Sequence, residues 1–399
     1  MIRFLTAGES HGPALTAIIE GFPANLPLTA LDIQRDLDRR RQGYGRGGRM
    51  KIEGDQVTIL SGVRGGLTLG SPIALQIENK DWERWSQVMS VEKLETPETV
   101  TIAADQRLSQ IAATVTKPRP GHADLAGALK YGHQDLRNIL ERASARETAM
   151  RVAVGAVARK LLGEFGIEVF SGVLQIGKAV ATEVPEDLAV YRFNVANSPV
   201  ATPDPAAAEA MINQIDQAKE RGDSLGGVIE VLASGIPVGL GSHVHWDRRL
   251  DARLTAALMS IPAIKGVEIG LGFQVAGLFG SEVHDQIYYS QERNFYRQTN
   301  NAGGIEGGIS NGELIRIRLA MKPIPTLYQP LQTVDLQTKE VVSASVERSD
   351  VCAVPAAAVV AEAMACWVLA DAFLENFSGS TLADVHNYYT EYQKRVTAQ

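Results

Sequence analysis

Two histidines sit on glycine turns, in Gly8-Glu-Ser-His11-Gly12 and in Lys117-Pro-Arg-Pro-Gly-His122-Ala-Asp124. Histidine is the side chain whose ordinary pKa best suits proton transfer near neutrality. Small neighbours leave both imidazoles open to a ligand. In the second turn two prolines stiffen the approach, and Arg119 stands three residues before His122. An arginine beside a histidine suits an anion that receives a proton as it departs. Each turn has a plain alternative: a histidine satisfying its own turn, or a rigid exposed loop. A third candidate is Asp350 in Arg348-Ser-Asp350, either a cap for the helix that follows or a base. A hydrolytic triad of Ser10, His11 and Asp350 is weak, because adjacent Ser10 and His11 would struggle to act as nucleophile and base. No nucleophile elbow is present.

The charge to meet an anion is concentrated between Arg35 and Arg49, where six arginines alternate with glycines in a chain of net charge -7. Guanidinium is planar and permanently charged, and its fork fits phosphate or carboxylate. Arg40, Arg46 and Arg49 are candidates for binding a small polyanion. Arg35, Arg39 and Arg41 can face solvent or pair with Asp36 and Asp38. A solvated basic loop and an RGG-type nucleic-acid binder are the rival readings; the acidic balance argues against nucleic acid. Asn301 to Gly312 is glycine-rich enough to wrap a phosphate but matches neither the dinucleotide fingerprint nor a P-loop. His243, His245 and Asp247 lack a clear further metal ligand, so no metal is expected. Trp85, in Glu-Arg-Trp, reads as packing or surface.

These turns need elements to hold them. Short strands are expected at Ile2 to Thr6, Leu15 to Glu20, Val57 to Leu60, Ile73 to Glu78, Gly227 to Leu232 and Leu314 to Met321. Thr29 can cap a helix from Ala30 to Arg40 that delivers the chain into the arginine segment. Residues 79 to 118 read as an irregular excursion. A helix is expected from about Asp135 to Gly166, with Ala and Gly for close packing on a sheet. Residues 183 to 206 read as a surface loop, followed by helices at Pro205 to Arg221, Arg253 to Ser260 and Pro355 to Phe377. Glu141-Arg-Ala-Ser and Glu347-Arg-Ser-Asp each lead into an alanine-rich helix, an echo that fits duplicated sheet-and-helix halves or shared composition alone.

The whole chain, 399 residues with 37 glycines and 17 prolines, fits one α+β unit, a single domain over residues 1–399. Cys352 and Cys366 fit no paired metal motif and suggest a reducing compartment. The start of the chain lacks the pattern of a signal or transit segment, so a cytoplasmic location is expected. The apolar stretch Val351 to Leu369 is interrupted by Pro355 and Glu362 and reads as a buried core helix, not a membrane span.

Taken in order, Gly-Glu-Ser-His-Gly12, Asp38-Arg-Arg-Arg41, Arg-Pro-Gly-His-Ala-Asp124, Ser144-Ala-Arg-Glu-Thr148, Gly-Val-Glu-Ile-Gly270, Ala-Gly-Gly-x-x-Gly-Gly308 and Arg-Ser-Asp-Val-Cys-Ala-Val-Pro355 resemble the chorismate synthase family across nearly the whole chain. The resemblance implies a single-domain β-α-β sandwich and a homotetramer. It implies reduced FMN as cofactor and 5-enolpyruvylshikimate 3-phosphate as substrate, with a 1,4-anti elimination of phosphate. Ser10, Arg40, Arg46, Arg49 and Arg119 would bind the substrate. His11 would serve the flavin, His122 would protonate the departing phosphate, and Asp350 would relay the carbon-bound proton. Flavin contacts carry over to Arg142, Ala143, Ser144, Pro262, Ala263, Gly307, Lys322, Pro323, Ile324, Pro325, Thr326 and Arg348. Pro262 stands where relatives often carry an amide, and Ala143 where many carry serine, so side-chain contacts there are lost. Residues 79 to 110 exceed the shortest family members and would shape an oligomer contact or a cover. A bifunctional form that reduces its own flavin with NADPH is the enzymatic alternative; no nicotinamide domain is recognisable.

Overall fold

The computed structural model describes residues 1–47, 54–92, 113–346 and 349–398. Alternating apolar residues build its strands. Ile73, Leu75 and Ile77 bury one face of their strand, and Ile315, Ile317, Leu319 and Met321 do the same while Arg316 and Arg318 point the other way; side chains alternate at a period of two. Strands β1 (Arg3–Ala7), β2 (Ala14–Glu20), β3 (Val57–Ser61) and β4 (Ile73–Glu78) form an antiparallel sheet in the order β1-β2-β4-β3. A second antiparallel sheet contains β5 (Glu168–Ile176), β6 (Ala179–Val180), β7 (Gly227–Ser234), β8 (Ile264–Ile269) and β9 (Ile315–Met321). Its order is β8-β9-β7-β5-β6.

The longer helices among the described residues are α1 (Ala30–Arg41), α2 (Asp124–Tyr131), α3 (Arg137–Ala143), α4 (Thr148–Gly163), α5 (Leu188–Asn197), α6 (Pro205–Glu220), α7 (Leu250–Met259), α8 (Val354–Asn376) and α9 (Leu382–Thr397). Helix α4 touches strands of both sheets and lies along α8. Gly155 of α4 meets Ala363 of α8 so closely that a Cβ would fall 2.4 Å from the Ala363 Cβ. The expected close packing on a sheet is therefore chiefly packing on a helix. The core helix α8 is apolar enough to cross a membrane, but 94% of its most apolar stretch is buried inside the fold. Both cysteines are free and buried; burial pushes the Cys352 thiol up to about 11.

Two expectations change. The single helix from Asp135 is broken at Ser144, which adopts an extended conformation and accepts a hydrogen bond from the Arg146 N–H. The break starts a short turn, Ala145–Glu147, before α4. The loop at 183–206 contains α5, capped by Asp187, whose carboxylate accepts from the Ala189 and Val190 N–H groups. Only Tyr191 of α5 is buried, so no apolar stripe marked it in the sequence.

Candidate functional site

The loop after β1, the arginine segment after α1, the turn before α2, the break between α3 and α4, and the entrance to α8 converge on one cavity of about 440 Å³. Its walls include Ser10, His11, Arg40, Arg46, Arg119, His122, Ala143, Ser144, Pro262, Ala263, Lys322, Ile324, Pro325, Thr326 and Asp350. The apolar part comes from Leu140, Ile261, Met321 and the α8 residues Ala356, Ala357 and Val360.

His11 is held on three sides. Its Nδ1 lies 2.8 Å from one Glu141 oxygen, and its backbone N–H donates to the other at 2.8 Å. The Trp85 ring stacks on the imidazole with centroids 3.9 Å apart. A carboxylate can only accept, so Nδ1 carries the proton and Nε2 is left toward the cavity. Neither Glu141 nor Trp85 was identifiable from sequence alone. Glu141 is 130 residues away in the chain and has no local signal.

His122 is held similarly. Its Nδ1 lies 2.5 Å from Asp124 Oδ1. Asp124 also accepts from the Arg119 backbone and guanidinium, at 3.0 and 2.9 Å. Burial alone would raise the Asp124 pKa, but hydrogen bonds from His122 and Arg119 outweigh it and hold the carboxyl well below its usual range. Arg119 also donates to Thr326 Oγ1 at 3.3 Å, and Lys322 Nζ donates to the Gly121 carbonyl. The turn is thus tied to the 322–326 stretch. Burial, with Lys265 nearby, lowers the Lys322 pKa.

The arginines divide. Arg40 is buried, contacting Asp55 at 3.2 Å, Thr148 at 3.1 Å and the Ala145 carbonyl at 3.1 Å. Arg146 pairs with the same Asp55, so two guanidinium groups share that carboxylate. Arg146 and Asp55 were missed as functional residues, although Arg146 lies inside a motif that was read. Arg46 pairs with Asp350 at 2.6 Å, and Asp350 also accepts from the Gly47 N–H at 2.6 Å. Gly45 has φ +87, and a Cβ there would approach Ile215 and Cys352 at 3.0 and 3.1 Å, so the segment lies flat only because it is glycine. Arg39 faces away from the cavity and bonds Glu362 and Asp36.

Other candidate residues lie elsewhere or make other contacts. Asp350 does not cap α8, which starts at Val354, nor does it complete a triad, since His11 is bound to Glu141. Arg142 donates to the Thr6 and Gly8 carbonyls and lines a neighbouring hollow with Pro262. Pro323 and Gly307 do not line the main cavity; Gly307 sits in the turn between Ile305–Glu306 and Ile309–Ser310. The glycines at 303, 304 and 308 serve close backbone contacts, with Gly270, Leu314 and Arg249. His245 pairs with Asp247 on the surface, and no group of three metal-ligating side chains occurs among the described residues. Arg49 and Arg348 lie outside the described residues.

Ser10 and Ser144 face one another at 3.2 Å between their hydroxyls. Ala263 adopts φ +72 without being glycine, a conformation costing about 1–2 kcal/mol. Its carbonyl accepts from the Lys322 N–H at 2.9 Å, which ties the strained turn to the wall. The site can therefore bind a polyanion, deliver protons from two sides and lay an apolar wall against a flat ring.

A sequence profile described as Chorismate synthase matches residues 2–374. The chain is 57% identical over 398 residues to a chorismate synthase of Desulforamulus reducens, with 99% of each chain covered. It is 58% identical over 394 residues to one from Moorella thermoacetica, again with 99% of each covered. A crystal structure of chorismate synthase matches with a TM-score of 0.78 at 44% identity, covering 100% of this chain and 99% of the other.

Proposed function

We propose how this site works from the premise that the chain belongs to the chorismate synthase family, a lyase of the shikimate pathway. The substrate is 5-enolpyruvylshikimate 3-phosphate, and the reaction breaks a C–H and a C–O bond to give a new double bond, phosphate and a proton. The observation that carries this reading is the pair of carboxylate-bound histidines facing one cavity lined by Arg40, Arg46, Arg119, Arg146 and Lys322. Those cations suit a phosphate and two carboxylates, each charge-assisted contact contributing about 1.5–3 kcal/mol. The layering, with α4 against strands of both sheets, is read as the β-α-β sandwich.

The cavity also suits reduced FMN. Ala143, Ser144, Pro262, Ala263, Lys322, Ile324, Pro325 and Thr326 would hold it, together with Arg348. Bound there, it supplies an electron-rich partner to the allylic system as phosphate leaves. His122 is tied through Gly121 and Arg119 to Lys322 and Thr326, which supports His122 as the proton carrier on the cofactor side. His11, beside Ser10, would then protonate the departing phosphate from Nε2. This reverses the division that the resemblance implies. Asp350 accepts the carbon-derived proton only after Arg46 turns from it to the substrate. Whether the reducing equivalents come from NADPH on the same chain is decided by supplying NADPH and oxidised FMN without a reductase.

Turnover is expected only with reduced FMN under anaerobic conditions. His11→Ala and His122→Ala each lower kcat by about 10²–10⁴-fold. His122→Ala also changes the spectrum of bound reduced FMN, whereas His11→Ala leaves it unaltered. The converse spectral pattern would reverse the assignment, and undiminished rates in both variants would sink it.

A further inference from the structure

Glu141 and Trp85 confine the imidazole of His11 more tightly than a turn histidine requires. Glu141 is buried at the end of α3, and both of its oxygens lie within reach of Nδ1, Oε1 nearer than Oε2, which stands 3.0 Å away. Oε2 accepts the His11 backbone N–H at 2.8 Å, while Oε1 faces Nδ1 at 2.8 Å. The Glu141 backbone carbonyl accepts the Ser10 N–H at 3.1 Å, so the same residue also fixes the turn. Trp85 covers one face of the ring, and the Arg137 guanidinium stands 5.3 Å from the Trp85 ring centre.

We propose that Glu141 is a positioning residue that holds neutral His11 in the Nδ1–H form, with Nε2 directed at the substrate, while Trp85 fixes the plane of the ring. This rests on the reading of His11 as a proton carrier. An acid that gives its proton from Nε2 must end as the Nδ1–H tautomer, and a carboxylate on Nδ1 favours both that product and the imidazolium before it. Reversing the tautomer would leave on Nε2 a proton whose loss from the neutral ring would create an imidazolate.

Glu141→Gln tests this because it preserves shape and because its orientation is dictated. The backbone N–H of His11 demands an acceptor, so the amide oxygen takes that place and the NH₂ group meets Nδ1. The NH₂ group then takes the nearer place, 2.8 Å from Nδ1 against 3.0 Å for the oxygen, where two facing N–H donors repel. Nδ1 therefore accepts, and neutral His11 becomes the Nε2–H form. The ring-nitrogen NMR spectrum of the protein, labelled at its seven histidines and assigned with His11→Gln, reads the tautomer without cofactor or turnover. The expected result is an Nδ1–H signal in the parent protein, an Nε2–H signal in Glu141→Gln, and recovery of the first in Glu141→Asp. Turnover of Glu141→Gln should fall about 10²–10⁴-fold in kcat, with KM changed less than about threefold. Trp85→Leu should lower kcat severalfold with the tautomer unchanged, and an unaltered rate there removes Trp85 from the proposal. An unchanged tautomer in Glu141→Gln overturns the role of Glu141. A reversed tautomer with a full rate leaves Glu141 as the orienting group but overturns His11 as the proton carrier.

Discussion

Asp124 binds His122 and Arg119 at once, and this sharing makes it the most exposed single point of failure in the site. Removing its charge weakens the 2.9 Å charge-assisted contact with the buried Arg119 guanidinium, a loss of about 1.5–3 kcal/mol. Asp124→Asn should lower kcat by about 10²–10⁴-fold, since His122 loses the acceptor that orients it. Its pH signature has a definite sign. The folded pKa lies below the ordinary 3.8, so the stabilisation is present above 3.8 and is lost progressively as pH falls from there through the lower folded value. Between about pH 5 and pH 3 the parent should therefore lose urea stability more steeply than Asp124→Asn; parallel curves would refute the linkage. The sequence made His122 and Arg119 legible together because they lie three residues apart, but it assigned no role to Asp124 in the same turn. It concealed Glu141, Trp85 and Asp55, whose partners lie far along the chain and whose types are ordinary for a helix or loop.

The elements that carry the site depend on the seam between α4 and α8. Ala356, Ala357 and Val360 of α8 form part of the cavity wall, while Glu362 on the opposite side of the same helix is buried against Arg39, Arg159 and Ser171. Burial alone would raise the Glu362 pKa, but Arg159 and Arg39 hold it down to about 2. The glutamate that argued in the sequence against a membrane span thus anchors α1 and α4 to the core helix. Many strand and helix positions were legible from periodicity, with Ile73–Glu78 matching its expected limits, but the strands Glu168–Ile176 and Ile264–Ile269 and the helix Leu382–Thr397 were not. The break at Ser144 was not, because the flanking residues all favour helix and tertiary contacts decide. Gly155→Ala tests the seam, since its Cβ would meet Ala363 at 2.4 Å and the Ala363 carbonyl at 2.5 Å. Backbone on one side leaves no soft neighbour to yield, so a loss of about 1–3 kcal/mol or more is expected in urea unfolding. A stability equal to the parent's would mean that the two helices can separate without cost.

At the scale of the molecule, the segment from 272 to 295 exposes several large apolar side chains. Phe273 is 86% exposed and Phe279 79% exposed, and Ile287, Tyr289 and Phe295 add apolar area on the adjoining hairpin. Single exposed apolar residues need no explanation, but several large ones within one segment point to a covered surface. We take the cover to be further copies of this chain, in line with the homotetramer that the resemblance implies. The cavity draws on residues from the loop after β1 to the entrance of α8, so assembly need not supply the described catalytic side chains to matter for activity. It would instead hold the surrounding loops in place. Replacing both phenylalanines, Phe273→Glu with Phe279→Glu, places like charges where copies would meet, and desolvating them is unfavourable. Sedimentation equilibrium should show the mass falling to half or less of the parent's, with helix content by circular dichroism unchanged. A tetramer-sized mass in the double variant would place the contact elsewhere on the molecule, and a monomeric parent protein would remove the need for one.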